Sequence, residues 1–332
     1  MGVTGRPVSV FLTVLNEEAH LVAAVESVLG QDYAGGLEVV MALGPSRDGT
    51  DQIARELARQ DSRIKLVTNP TGAIPEGLNI AWRACRHDYL IRTDGHAVLP
   101  PGYVSEAVAT LDQTGAANVG GQMVPQGQTP FEQAVARAMS SRVGIGAAPF
   151  HTGGQAGPAK SVYLGCFRRQ PLEEVGGFDP AFARGEDWEL SHRLIKAGHL
   201  VYFNPALQVA YRPRRNLRAL AKQYFSTGQW RAEVMRRHRS TIGLRYLAPP
   251  IAVLVVALGA IVGLSGLAAG TRGRWGLCVP ALWVAGEVGA AAVAGRGLDV
   301  RARAWLPVVM ATMHLAWGAS FIRGVIKPPG KG

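Results

Sequence analysis

Cysteine is scarce and scattered in this chain: Cys85, Cys166 and Cys278 are the only three in 332 residues, and no two have the spacing of a metal-binding pair. A disulfide framework and a cysteine zinc site are thereby excluded. Also missing after the first β-prone run, Val8 to Leu15, are G-x-G-x-x-G and G-x-x-x-x-G-K. Neither the dinucleotide fingerprint nor the phosphate loop is present, so any nucleotide must be gripped by side chains. The opening, Met1-Gly2-Val3-Thr4-Gly5-Arg6-Pro7, lacks a signal-peptide pattern, which predicts that the N-terminal domain stays in the cytoplasm.

Acids are short as well, 24 against 35 Lys and Arg, for a formal net charge of +11. The imbalance is local. Residues 211–245 hold ten Arg and Lys (Arg212, Arg214, Arg215, Arg218, Lys222, Arg231, Arg236, Arg237, Arg239, Arg245) against the single acid Glu233, which is +9 of the +11. Such a segment can serve nucleic acid, but this one lacks interleaved stacking aromatics and abuts long apolar runs. Anionic lipid headgroups, not nucleic acid, are the expected partner. Ile251 to Gly270 has no charged residue, Trp275 to Ala294 has only Glu287, and Ala304 to Ile322 has none. Each approaches the ~20 residues of a membrane span.

Leu217, Leu220, Ala221, Tyr224, Phe225 and Gly228 follow helical spacing, as in a basic amphipathic helix at the membrane interface; a helix packed on the soluble domain is the alternative. The expected organisation is a soluble domain over 1–215, a basic interfacial region over 216–248, and about three transmembrane helices over 249–326. With the soluble domain inside, Thr271 to Arg274 lies outside, Arg296 to Arg303 inside and Lys327 to Gly332 outside. Glu287 is expected near the end of its span or against another helix.

In the first 215 residues, strand-like runs alternate with helical ones. Strands are expected at Val8 to Leu15, Leu37 to Leu43, Ile64 to Thr68, Tyr89 to Thr93, Ala117 to Val124 and Val162 to Phe167. Helices are expected after the Asn16 cap with Glu17 and Glu18 in the first turn, from Thr50, and over Pro75 to Arg86, Gly102 to Gln113, Pro130 to Arg142 and Gly185 to about Ala197. This alternation predicts βαβ units and a parallel sheet with right-handed crossovers. Gly144 to Lys160, rich in Gly, Ala and Pro, reads as a long loop: a lid or a disordered segment.

Two acidic elements carry the chemistry. Tyr89-Leu90-Ile91-Arg92-Thr93-Asp94-Gly95-His96 is a short buried-strand pattern that stops on an acid, a glycine and a histidine. The carboxyl ends of parallel strands are where such sheets bind ligands. Asp94 and His96, two residues apart, can reach one divalent ion, although Asp-Gly at a strand exit is also ordinary turn chemistry. Further on, Gly176-Gly177-Phe178-Asp179-Pro180 precedes Gly185-Glu186-Asp187-Trp188-Glu189, where acids open a helix. Helix capping alone would account for Glu186 and Asp187.

In order and spacing, Val8 to Glu18, Ser46-Arg47-Asp48-Gly49-Thr50, Asp94-Gly95-His96, Gly176-Gly177-Phe178-Asp179 and Glu186-Asp187 make residues 8–215 resemble the GT-A glycosyltransferases of family 2. The resemblance is closest to the membrane-anchored glucosyltransferases of succinoglycan-type exopolysaccharide synthesis. It implies an α/β, Rossmann-like GT-A catalytic domain with a mostly parallel sheet, followed by C-terminal transmembrane helices. By it, Asp94 and His96 hold a divalent metal (Mg²⁺ or Mn²⁺), Asp94 and Asp48 serve the nucleotide-sugar donor, Asp187 is the catalytic base with Glu186 beside it, and Trp188 faces the acceptor. The implied enzyme is an inverting hexosyltransferase acting on a lipid-linked or glycan acceptor at the cell membrane.

The pattern departs from the family at two places. An acid near the end of the second strand usually helps bind uridine, whereas this chain has Leu43-Gly44-Pro45; a UDP-sugar is favoured with the base left open. The Gln-x-x-Arg-Trp motif of processive members is replaced by Gln229-Trp230-Arg231, so processivity is not indicated. Two other readings stay open: a sugar nucleotidyltransferase, against which the missing basic Gly-rich loop argues, and a non-catalytic membrane scaffold, against which the joint retention of Asp94, Glu186 and Asp187 argues.

Overall fold

The computed structural model describes residues 5–241 and 243–327; the extreme N-terminus and most of the tail expected outside the membrane, residues 328–332, lie beyond them. Two compact units form. One comprises the chain up to Val124 together with Pro149–Tyr211, the other Pro125–Ala148 together with the chain from Arg212 onward. Residues 125–148, inside the expected soluble domain by sequence, thus group with the C-terminal helices by contact.

The first unit is built on one sheet in the order β3-β2-β1-β4-β7-β5-β8-β6. The strands are β1 (Val8–Val14), β2 (Leu37–Leu43), β3 (Ile64–Thr68), β4 (Tyr89–Arg92), β5 (Asn118–Pro125), β6 (Gly157–Pro158), β7 (Tyr163–Arg168) and β8 (Val201–Tyr211). The first four pair in parallel, as the βαβ spacing predicts, while β7 runs antiparallel to both β4 and β5. Alternation with period two divides each central strand between two cores. Val8, Val10, Leu12 and Val14 face one; Phe11 faces the other, as do Val40, Ala42 and Leu90. Helices α1 (Leu21–Leu29), α2 (Thr50–Gln60) and α4 (Tyr103–Thr114) cover the first face, and α3 (Ile74–Ala84) and α9 (Glu186–Lys196) the second. Phe11, Phe167 and Phe178 meet with ring centroids 6.1–6.4 Å apart and anchor the second core. Truncating a fully buried Phe of this kind to Ala costs about 3–5 kcal/mol.

The structure corrects the expected start of the first helix. α1 begins at Leu21, and Asn16, the expected cap, is in the left-handed region at φ 57°. Residues 16–18 are engaged instead with the loop after β2. Asn16 Oδ1 accepts from Arg47 N at 2.8 Å, the Glu17 N–H donates to Thr50 Oγ1 at 2.8 Å, and Glu18 Oε2 accepts from Gly49 N at 3.0 Å. Tertiary hydrogen bonds outcompete the local cap. The long strand β8, not marked by any sequence signal used above, closes the antiparallel side: at Gly121 of β5 a Cβ would lie 1.6 Å from Leu207 O of β8.

The second unit is helical. It contains α5 (Pro130–Met139), α6 (Arg142–Ile145), α10 (Leu217–Arg237), α11 (Leu244–Ala268), α12 (Cys278–Ala294) and α13 (Val300–Ile326); the short helices α7 (Pro149–Thr152) and α8 (Arg169–Glu174) belong to the first. The start of α5 is fixed by a capping box between Thr129 and Glu132. The stretch Gly144 to Lys160, expected as a loop, is interrupted by α7 and β6. Three segments, Tyr246–Ala268, Arg272–Ala294 and Val300–Ile326, are long and apolar enough to cross a membrane. On the first of them Leu254, Leu258, Ile261 and Leu264 are exposed, as lipid-facing side chains are. Glu287 is set against a neighbouring helix, with Oε1 2.7 Å from His314 Nδ1 of α13. α10 packs along α13 so closely that a Cβ at Gly228 would meet Trp317 O at 2.3 Å.

Candidate active site

The site is organised by a cation that the apolar strand β4 cannot otherwise tolerate. Arg92, opposite Phe11 in the parallel pairing, is 5% exposed at the end of that strand, where a charge needs partners. Its guanidinium gathers three carboxylates. Nη1 donates to Asp187 Oδ1, and Nη2 donates to Glu186 Oε1 at 3.1 Å and to Asp94 Oδ1 at 3.3 Å. Beneath it the Phe178 ring centroid lies 5.8 Å away.

Each element is aimed by local chemistry. Phe178 is held from both sides by Asn79, whose Nδ2 donates to Phe178 O at 2.6 Å and whose Oδ1 accepts from Phe178 N at 2.9 Å. The preceding Gly177, at φ 75°, lies so near Asn79 that a Cβ would sit 2.5 Å from its Oδ1; only glycine fits. The same loop is tied to α9 by Arg193, which donates to Val175 O and Gly177 O and is fixed by the buried Glu189. Glu189, expected only as a helix-start acid, thus braces the loop. Gly185, left-handed at φ 77°, turns the chain into α9 so that Glu186 and Asp187 point at Arg92.

Electrostatics single out Asp187. Burial pushes its carboxyl up to about 7; the Arg92 guanidinium opposes that shift, and Glu186 and Asp94 add to it. A carboxylate titrating near neutrality, partly open to solvent, suits a proton acceptor. Tyr163 of β7 is raised above the usual phenol range by burial first and by the Asp94 and Asp187 charges, with Arg92 opposing.

The remaining site residues lie apart from this cluster. His96 Nδ1 is 2.8 Å from Glu17 Oε1, joining the ends of β4 and β1. Asp48 closes the turn ahead of α2: Oδ1 accepts from Thr50 N at 3.1 Å and Oδ2 from Glu18 N at 3.3 Å, and the Thr50 hydroxyl holds its carboxyl below the usual range. Trp188 stacks on His192 within α9, with centroids 5.6 Å apart. Among the described residues no three His, Cys, Asp or Glu side chains are grouped to hold an ion. Asp94 and His96 supply oxygen and nitrogen, a donor set that Mg²⁺ or Mn²⁺ accepts when water and substrate phosphate complete the shell. They fit a cation shared with a diphosphate, not a self-sufficient metal site. Arg92 and Tyr163 lie outside the elements that carry the resemblance, and Glu17, within Val8 to Glu18, is expected only as a first-turn acid. An arginine ending an otherwise apolar buried strand is the one signal that pointed to the first.

Residues 9–176 match the family described as glycosyl transferase family 2. The succinoglycan biosynthesis protein ExoA of Rhizobium meliloti (strain 1021) is 33% identical over 315 residues, covering 94% of this chain and 93% of that protein. The chain belongs to glycosyl transferase family 2. A second family-like relative, the dolichyl N-acetyl-alpha-D-glucosaminyl phosphate 3-beta-D-2,3-diacetamido-2,3-dideoxy-beta-D-glucuronosyltransferase of Methanococcus voltae, is 23% identical over 239 residues, 69% of this chain and 74% of that one. The mannosyltransferase PcManGT of Pyrobaculum calidifontis, solved with GDP-Man and Mn²⁺, superposes with a TM-score of 0.62 at 18% identity over 98% of this chain and 89% of its own. This family-2 protein is therefore a glycosyltransferase with the GT-A fold, a mixed, mostly parallel sheet and three C-terminal helices apolar enough to span a membrane. Glu186 and Asp187 lie beyond the residues matched by the family model, so their roles are argued from geometry.

Proposed function

We propose that this glycosyltransferase is membrane-anchored and inverting, and moves one sugar from a nucleotide-sugar donor, a UDP-sugar before others, to a lipid-linked or polysaccharide acceptor in exopolysaccharide or cell-envelope glycan synthesis. The observation that carries the reading is the convergence of Asp94 and Asp187, from two elements far apart in sequence, on Arg92 at the carboxyl end of a parallel strand. A succinoglycan biosynthesis protein and a transferase named for a dolichyl-phosphate-linked sugar among the relatives support the acceptor class. Residues 1–215 form the catalytic domain on the cytoplasmic side, 216–248 a basic region at the membrane interface and 249–326 the three spans, the exposed arginines of α10 facing anionic headgroups.

Asp94 and His96 would hold a divalent cation, Mg²⁺ or Mn²⁺, together with the donor diphosphate, and when bound the ion stabilises the charge that grows on the departing nucleotide. Asp187 takes the proton of the acceptor hydroxyl as its oxygen bonds to the anomeric carbon. The bond from that carbon to the diphosphate breaks on the opposite face, so the anomeric centre inverts. Glu186 orients the acceptor, Trp188 offers it an aromatic face and Asp48 serves the donor side through the β2–α2 loop.

The experiment is a panel of nucleotide sugars offered to the purified full chain with Mn²⁺ or Mg²⁺, with and without a lipid-extract acceptor. Release of nucleoside diphosphate from one sugar, increased by the acceptor, is the expected result. Nucleotide exchange with a sugar 1-phosphate, or no turnover of any donor, would overturn the reading.

A further inference from the structure

The steps above give Arg92 no part of its own, yet its surroundings are unusual for a structural ion pair. One guanidinium, almost wholly buried, faces the carboxylates of Asp94, Glu186 and Asp187, and its Nε has no hydrogen-bond partner among the described residues. A pair that served the fold alone would need one acid. Three acids around one arginine leave the cluster net negative in a place where unpaired charge is costly. Such a cluster attracts a cation.

We propose that Arg92 is the positioning residue of this site: its fork holds Asp187, Glu186 and Asp94 in one arrangement, and its charge sets how strongly the remaining negative charge draws a divalent cation. The inference rests on the reading of Asp94 as a cation ligand and Asp187 as base. A guanidinium does both tasks because it is always charged and presents donors in a fixed plane; an ammonium supplies only the charge.

Mn²⁺ uptake by the solubilised full chain in the presence of UDP, followed through the electron paramagnetic resonance of the free ion and compared with UDP alone, separates charge from positioning; transfer is then measured on the same samples. Arg92→Met removes the positive charge, so uptake tightens by roughly tenfold to a hundredfold, or exceeds one ion per chain, while transfer falls. Arg92→Lys keeps wild-type Mn²⁺ affinity and one ion per chain, yet loses roughly tenfold or more in kcat with the donor KM little changed. Glu186→Gln, which disturbs packing least, weakens Mn²⁺ by roughly tenfold and serves if Arg92→Met does not fold. Wild-type affinity and stoichiometry in both Glu186→Gln and any folded Arg92→Met would overturn the charge-setting role, and full kcat in Arg92→Lys would overturn the positioning role. Should the wild-type chain transfer sugar while taking up no Mn²⁺, the cation reading of Asp94 fails and this inference falls with it.

Discussion

Asp48 and Asp187 each lie within two residues of a glycine at the start of a helix, and both belong to short acidic elements. In the structure they are used differently. Asp48 is consumed by donors from the backbone and from Thr50, which hold its carboxyl below the usual range and pin the β2–α2 loop to residues 16–18. Asp187 is held by a guanidinium and pushed up to about 7 by burial and by its acidic neighbours. A carboxylate spent on backbone donors shapes a loop; one balanced against a side-chain charge keeps the capacity to take a proton or to respond to a ligand.

The largest effect should come from the third member of the arginine cluster. Asp94→Asn keeps shape and removes charge, so donor affinity and transfer should fall together, by roughly 10²-fold or more, whereas loss of a base would spare binding. Calorimetric titration of nucleotide beside a transfer assay reads both; wild-type values for either would break the distinction. A pH series is next. Because Asp187 must be ionised to accept a proton and its carboxyl titrates at about 7, transfer should fall about tenfold per pH unit below that value and level off above it. A rate flat down to pH 5 would remove Asp187 from the proton transfer.

Asp48→Ala should act more mildly and through the loop: a lower melting temperature and weaker nucleotide binding, with kcat changed no more than a few fold. A large fall in kcat with an unchanged melting temperature would place Asp48 in the chemistry instead. The smallest effect concerns the thiols. Burial pushes Cys85 and Cys166 up to about 12, so neither should react with iodoacetamide in the folded chain at pH 8, and alkylation of either without unfolding would contradict the packed cores around them.

Much of the fold was legible because its signals are local. The parallel strands β1 to β4 are mostly apolar runs, Asp94 stands just past the last of them, and stretches with at most one charge announce the three membrane-length helices. The start of α1 was not legible, because Asn16 and Glu18 answer to a loop some thirty residues away. Nor was β8, whose run is interrupted by Asn204 and Pro205 and lies on the antiparallel side of the sheet with the two-residue β6 beyond it. At the site, the end of the fourth strand marked Asp94, and the family resemblance marked Glu186 and Asp187. Their common partner Arg92 and the Glu17–His96 pair became visible only when distant segments were brought together.

The central claim is that Asp187 acts in transfer and not in donor assembly, and Asp187→Asn tests it most directly. Donor binding, measured by calorimetry on the full chain, should stay near wild type, while transfer to a lipid-extract acceptor falls roughly 10²–10⁴-fold. Transfer at the wild-type rate, particularly if Glu186→Gln is inactive, would contradict the account and move the base to the neighbouring acid.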